Sequence, residues 1–90
     1  DMRRRDERSA ALHGRFITKR TGNVWSWGVV SFKGVAFRPS YFKVLYSDGS
    51  VEDGLSHRMV TAGRAYSLQP PERQPPAGVQ VPQAEPVQVL

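Results

Sequence analysis

Tyr41-Phe42-Lys43-Val44-Leu45-Tyr46-Ser47-Asp48-Gly49-Ser50-Val51-Glu52-Asp53-Gly54-Leu55 is the stretch that decides the fold class. Apolar and polar residues alternate up to Tyr46, the pattern breaks at Ser47-Asp48-Gly49-Ser50, and a short acidic strand follows. An Asp-Gly pair between two strand-like runs is a strong hairpin signal, because a tight primed turn needs positive φ, which Gly adopts at little cost. Residues 41–46 and 50–55 are therefore expected to pair antiparallel. Gly54 marks a bulge or corner.

Upstream, Val24-Trp25-Ser26-Trp27-Gly28-Val29-Val30-Ser31-Phe32 reads as a second aromatic strand, and Arg15 to Arg20 as the first, joined by a turn at Thr21-Gly22-Asn23. Lys33 to Ser40 is a longer loop containing Pro39. Leu55 to Met59 reads as a tight turn before a short last strand around Val60. Five short strands at this spacing predict an all-β chain folded as a small, strongly bent, five-stranded antiparallel barrel. Its expected core is Phe16, Ile17, Val29, Val30, Val44, Leu45, Val51, Leu55, Met59 and Val60.

The flanks differ in composition. Met2 to Arg8 carries four Arg against two acids, which reads as a solvated basic arm over residues 1–13. A short helix from 2 to 13, capped by Asp1 and stopped at Gly14, is the alternative. All 7 prolines but Pro39 lie beyond Gln69, in a stretch without aromatics. Such a segment is expected to stay flexible or polyproline-like, because it buries too little to offset its ordering entropy. The expected division is an arm at 1–13, the barrel at 14–62 and a flexible proline-rich tail at 63–90. The barrel is close to the smallest size that folds on one core. The chain does not begin with Met and reads as a piece of a longer protein.

Composition narrows the function. Thirteen Lys and Arg against 8 Asp and Glu give a net charge of +5, which favours anionic partners. There is no cysteine, so neither a disulfide nor a Cys-based metal site can staple the domain. His13 and His57 are far apart and have no acid at ligand spacing, so no metal or other cofactor is expected. No nucleophile–base arrangement, phosphate loop or dinucleotide fingerprint is present, which argues against an enzyme. No apolar run approaches membrane-spanning length.

Residues 15–60 resemble a Tudor domain, one of the SH3-like small barrels that also include chromo, agenet and PWWP modules. The resemblance is carried by Trp27-Gly28-Val29-Val30, by Tyr46-Ser47-Asp48-Gly49 and by Glu52-Asp53-Gly54-Leu55 leading to Met59-Val60. It implies a monomeric, non-catalytic chromatin reader or RNA–protein-associated module, intracellular and nuclear. Such a module recognises a methylated histone or other methylated peptide through aromatic faces and one carboxylate. A methylammonium has spread its charge and is poorly hydrated, so π-faces attract it. By position, Tyr46 matches a cage aromatic and Asp48 the cage acid. The cage aromatic of strand two falls at Ser26, flanked by Trp25 and Trp27, either of which a bulge could rotate inward. The strand-one position falls near Lys19 or Arg20.

Two other functions fit the same residues. Arg15, Lys19, Arg20, Lys33 and Arg38 could form a basic face on which the Trp side chains stack DNA or RNA bases. Alternatively, the arm and tail could dock the domain as a structural subunit of a larger complex. Without the resemblance, Asp48-Gly49 is plain turn chemistry, Glu52 and Asp53 a solvated strand edge, and one Trp is cover for the arm or tail.

Overall fold

The computed structural model describes residues 7–34 and 40–87. Five strands run in the order β1 (Phe16–Thr21), β2 (Val24–Lys33), β3 (Tyr41–Tyr46), β4 (Val51–Leu55) and β5 (Tyr66–Leu68), with one short helix, α1 (His57–Ala62), between the last two. They form a single antiparallel sheet ordered β4-β3-β2-β1-β5, so β4 and β5 are its edges.

The hairpins follow from their turn residues. Gly22-Asn23 closes β1 on β2 with Thr21 opposite Val24. At the second hairpin the Tyr46 N–H donates to the Ser50 carbonyl and the Gly49 N–H to the Tyr46 carbonyl. The loop thus has three residues, ending in Gly49 at φ +88°, rather than the expected two-residue primed turn. The bulge expected at Gly54 is present: Phe42 faces Leu55 while Val44 faces Glu52.

Alternation sorts each strand onto two faces. The inner face collects Ile17, Val30, Phe32, Phe42, Val44, Tyr46 and Leu55, closed by Val60 of α1. Gly28 sits where the Tyr46 ring crosses the sheet; a Cβ there would stand 2.8 Å from Tyr46 Cδ1 and 2.9 Å from Val44 Cγ1. Val51 and Met59, expected in the core, are 51% and 41% exposed, whereas Phe42 and Tyr46 are buried instead. The hairpin register explains Val51, which lies opposite the outward-facing Leu45; the bulge beyond Glu52 then turns Leu55 back to the inner face.

One element is corrected, and both flanks carry contacts that composition did not show. The last strand is not around Val60. Ser56 caps a helix there, its hydroxyl accepting from the Met59 N–H at 3.1 Å, and the strand lies at Tyr66–Leu68. The sheet therefore runs past residue 62. Val60 is still buried, because one helical turn after Leu55 returns it to the same core.

The arm is ordered over the part that is described. Residues 7–10 form a helical turn, Ser9 is fully buried, and its hydroxyl shares a 3.0 Å hydrogen bond with His57 Nδ1. Leu12 packs on the core. Asp1, proposed as cap, lies outside the described residues, as do Arg3, Arg4 and Arg5 of the basic run.

The tail docks. Gln69 is buried, donating to Thr18 Oγ1 at 3.1 Å and to the Ser67 carbonyl, while its own carbonyl accepts from the Arg15 guanidinium. Further on, Glu85 reaches β2 and β3. Composition undervalued these residues because their partners are polar and some fifty positions away in sequence.

Candidate functional site

The expected cage residues do not converge. β1 and β2 pair without interruption from Phe16–Val29 to Thr21–Val24, so no bulge turns either Trp inward. Lys19, opposite both Ser26 and Tyr66, faces inward. Trp25 and Trp27, opposite Arg20 and Thr18, face outward. Tyr46 and Asp48 therefore belong to one site and the two Trp residues to another.

The first site is the polar end of the inner face, a cavity of about 210 Å³ lined by Lys19, Ser26, Tyr46, Asp48 and Glu52 among others. Its centre is Glu52, which accepts hydrogen bonds from the Tyr46 and Tyr66 hydroxyls (2.9 Å for Tyr66) and pairs with the Lys19 ammonium at 2.8 Å. The Lys19 nitrogen also stands 5.6 Å from the Tyr66 ring centroid and 6.0 Å from that of Tyr46. A carboxylate and two phenol rings thus surround an ammonium belonging to the chain itself.

The protonation states follow from these contacts. Burial pushes Glu52 up, but the bonds from Lys19, Tyr46 and Tyr66 together outweigh it and hold the carboxyl below its usual value. The hydrogen bond to Glu52 raises Lys19. Burial, then Glu52, raises both tyrosines. At neutral pH the cluster is one anion, one cation and two neutral phenols.

Asp48 is spent on its turn. One carboxylate oxygen accepts both the Ser50 N–H (2.9 Å) and the Ser50 hydroxyl (2.6 Å), and these two bonds lower its pKa. Tyr46 is only 2% exposed, its ring packed into the core and covered by Lys19.

The second site lies on the outer face. A groove of about 460 Å³ runs between Trp25, Trp27 and Thr18 of the sheet and Arg73, Gln74 and Pro76 of the tail. Trp25 is 50% exposed. Trp27 is half-buried and braced edge-on by Phe16, with ring centroids 6.3 Å apart at 70°. Among the described residues no carboxylate lines the groove. Arg20, the cross-strand neighbour of Trp25, has its Nε tied to the Gly22 carbonyl at 2.9 Å, which leaves the outer guanidinium nitrogens facing solvent.

The expected basic face is dispersed. Lys19 is paired inside, Lys33 is buried against Glu85 at 2.6 Å, and Arg15 holds the Gln69 carbonyl. Arg38 lies outside the described residues. Arg20 remains beside the tryptophans, joined by Arg73, whose place in the groove sequence reasoning did not anticipate.

Among the described residues no group of three or more His, Cys, Asp or Glu is placed to hold a metal ion, and no helix is long and apolar enough to cross a membrane. Comparison with family models, with curated proteins and with solved structures gave no match.

Proposed function

We propose that this domain is a non-catalytic recognition module that binds single-stranded nucleic acid on its outer face. The observation that supports this reading best is the half-exposed Trp25 beside Arg20, with Trp27 and Arg73 lining the same acid-free groove. Large exposed aromatics mark interaction sites on small soluble domains. An indole face accepts any base by stacking, and guanidinium groups on either side take the phosphates. The net charge of +5 draws a polyanion towards the domain. The sheet is read here as the strongly bent barrel of the Tudor group, a reading supported by the Glu52–Tyr66 bond that joins its two edge strands.

The test is titration of tryptophan fluorescence with short single-stranded DNA and RNA at about 50 and 200 mM salt. Contacts with a few phosphates make the affinity fall steeply over that range. Trp25→Ala removes one stacking platform and should weaken binding by about 1–3 kcal/mol. Salt-insensitive binding, or an unchanged affinity in the variant, would dismiss the reading.

A second reading is kept for one observation. The Tyr46–Tyr66–Glu52 cluster already surrounds an alkylammonium, that of Lys19. A methylated lysine or arginine peptide could take this place after Lys19 leaves it. Methyl-peptide binding that appears in Lys19→Ala and is absent from the unchanged chain would support it.

A further inference from the structure

From Gly28 to Lys33, β2 is buried on both faces. Val30 and Phe32 belong to the core, but Val29, Ser31 and Lys33 point the other way and are covered too. Beyond the tryptophans the outer face is therefore not free surface. At its far end, what meets the sheet is the tail at Glu85.

The contacts made by Glu85 are specific. Its backbone N–H donates to Ser31 Oγ at 3.0 Å, and Ser31 is fully buried. One carboxylate oxygen meets the Lys33 ammonium at 2.6 Å and the other meets Lys43 at 2.9 Å. Ser31 and Lys33 are two residues apart on β2, and Lys43 is the cross-strand partner of Ser31. The sheet itself thus sets three groups on one face, spaced for a backbone donor and a carboxylate. Lys33 has only 9% of its side chain exposed with the tail in place, so whatever segment covers this ammonium must also bring its counterion, as Glu85 does. The two lysines hold the Glu85 carboxyl far below its ordinary value, at about 2.

We propose that Ser31, Lys33 and Lys43 form a docking site for an extended peptide of a partner protein that carries an acidic residue followed by proline, and that Ala84-Glu85-Pro86 occupies this site in cis. The acidic residue must itself be non-proline, because the site takes its N–H. The proline after it keeps the segment extended and has no N–H left to satisfy. The site lies on the same face as the Trp25 groove but shares no residue with it.

The test vacates the carboxylate position of the site in the full chain with Glu85→Ala, which frees both lysines, and adds a peptide of residues 79–87 in trans, read by backbone amide shifts. The amides of Ser31, Lys33 and Lys43 should move and saturate. The unchanged chain should bind the peptide far more weakly, because the tethered segment competes at an effective concentration of roughly millimolar. A peptide with alanine in place of its glutamate should lose about tenfold or more in affinity, the worth of one charged hydrogen bond. Glu85→Gln serves if Glu85→Ala does not fold. Independently, Lys43→Ala in the otherwise unchanged chain should accelerate hydrogen exchange at the Glu85 amide. No shifts in the vacated chain, equal binding of both peptides, or unchanged Glu85 exchange would overturn the proposal. So would a concentration-dependent doubling of the mass of the unchanged chain that Glu85→Ala abolishes, which would assign the site to a second copy.

Discussion

Replacing Glu52 by Ala should cost far more than its place on an edge strand suggests. The carboxylate is the acceptor for the Tyr46 and Tyr66 hydroxyls and the counterion of Lys19. A net hydrogen bond to a charged group is worth about 1.5–3 kcal/mol when both partners are shielded. Tyr46 is well shielded, so its bond counts near that range. Tyr66 is less covered and water can replace its partner, which brings its share to about 1 kcal/mol. The Lys19 pair is partly exposed, with both side chains 28% accessible, and adds about 0.5 kcal/mol after screening. The sum is about 3–4.5 kcal/mol, a large part of the 5–15 kcal/mol that holds an ordinary small domain. Urea unfolding at pH 7, followed by tryptophan fluorescence, measures it, and the midpoint should fall with an unchanged slope. Tyr46→Phe in the same assay removes one bond only and should lose about 1–2 kcal/mol. A loss below about 0.5 kcal/mol for Glu52→Ala, the level of an ordinary surface site, would refute the idea that this carboxylate ties the two edges of the sheet together.

Other perturbations probe the packing. Gly28→Ala should destabilise by about 1–3 kcal/mol, since the new methyl would press on the Tyr46 ring and the Val44 side chain; thermal melting checks it. Phe42→Ala, at a fully buried ring, should cost about 3–5 kcal/mol in chemical unfolding and leave a partly unfolded chain. His13 supplies a pH dependence. Its Nδ1 accepts the Phe32 N–H at 3.0 Å, and burial together with the Lys33 charge lowers its pKa, so the folded state favours the neutral ring. That stability is complete above the unfolded value near 6.5 and is lost as pH falls through the lowered folded value, so His13→Gln should flatten the stability curve between about pH 7 and 5.

Much of the sheet is readable from local chemistry. Asp48-Gly49 and Gly22-Asn23 place two hairpins, and alternation along β2 assigns Ser26 and the tryptophans to opposite faces. What local chemistry could not show depends on distant partners. α1 is only six residues long, and its signal is the lone cap Ser56. β5 is three residues long and stands beside a proline run, so composition masked it. Glu52 looked like a solvated edge because its three partners come from β1, β3 and β5 and meet only in the folded chain. Glu85 looked like tail because Ser31 lies 54 positions away. The cage pattern was legible at Tyr46 and Asp48, but their burial and turn bonds turn both towards structure.

The most direct test of the outer-face account is a footprint. The isotopically labelled chain is titrated with a short single-stranded oligonucleotide at low salt, with backbone amides and both indole N–H groups followed. The account predicts that the largest shifts fall on Trp25, Trp27, Arg20, Thr18, Ser67 and Arg73, while Lys19, Ser26, Tyr46 and Glu52 stay in place. Shifts concentrated on that second set, with both indoles unmoved, would contradict it.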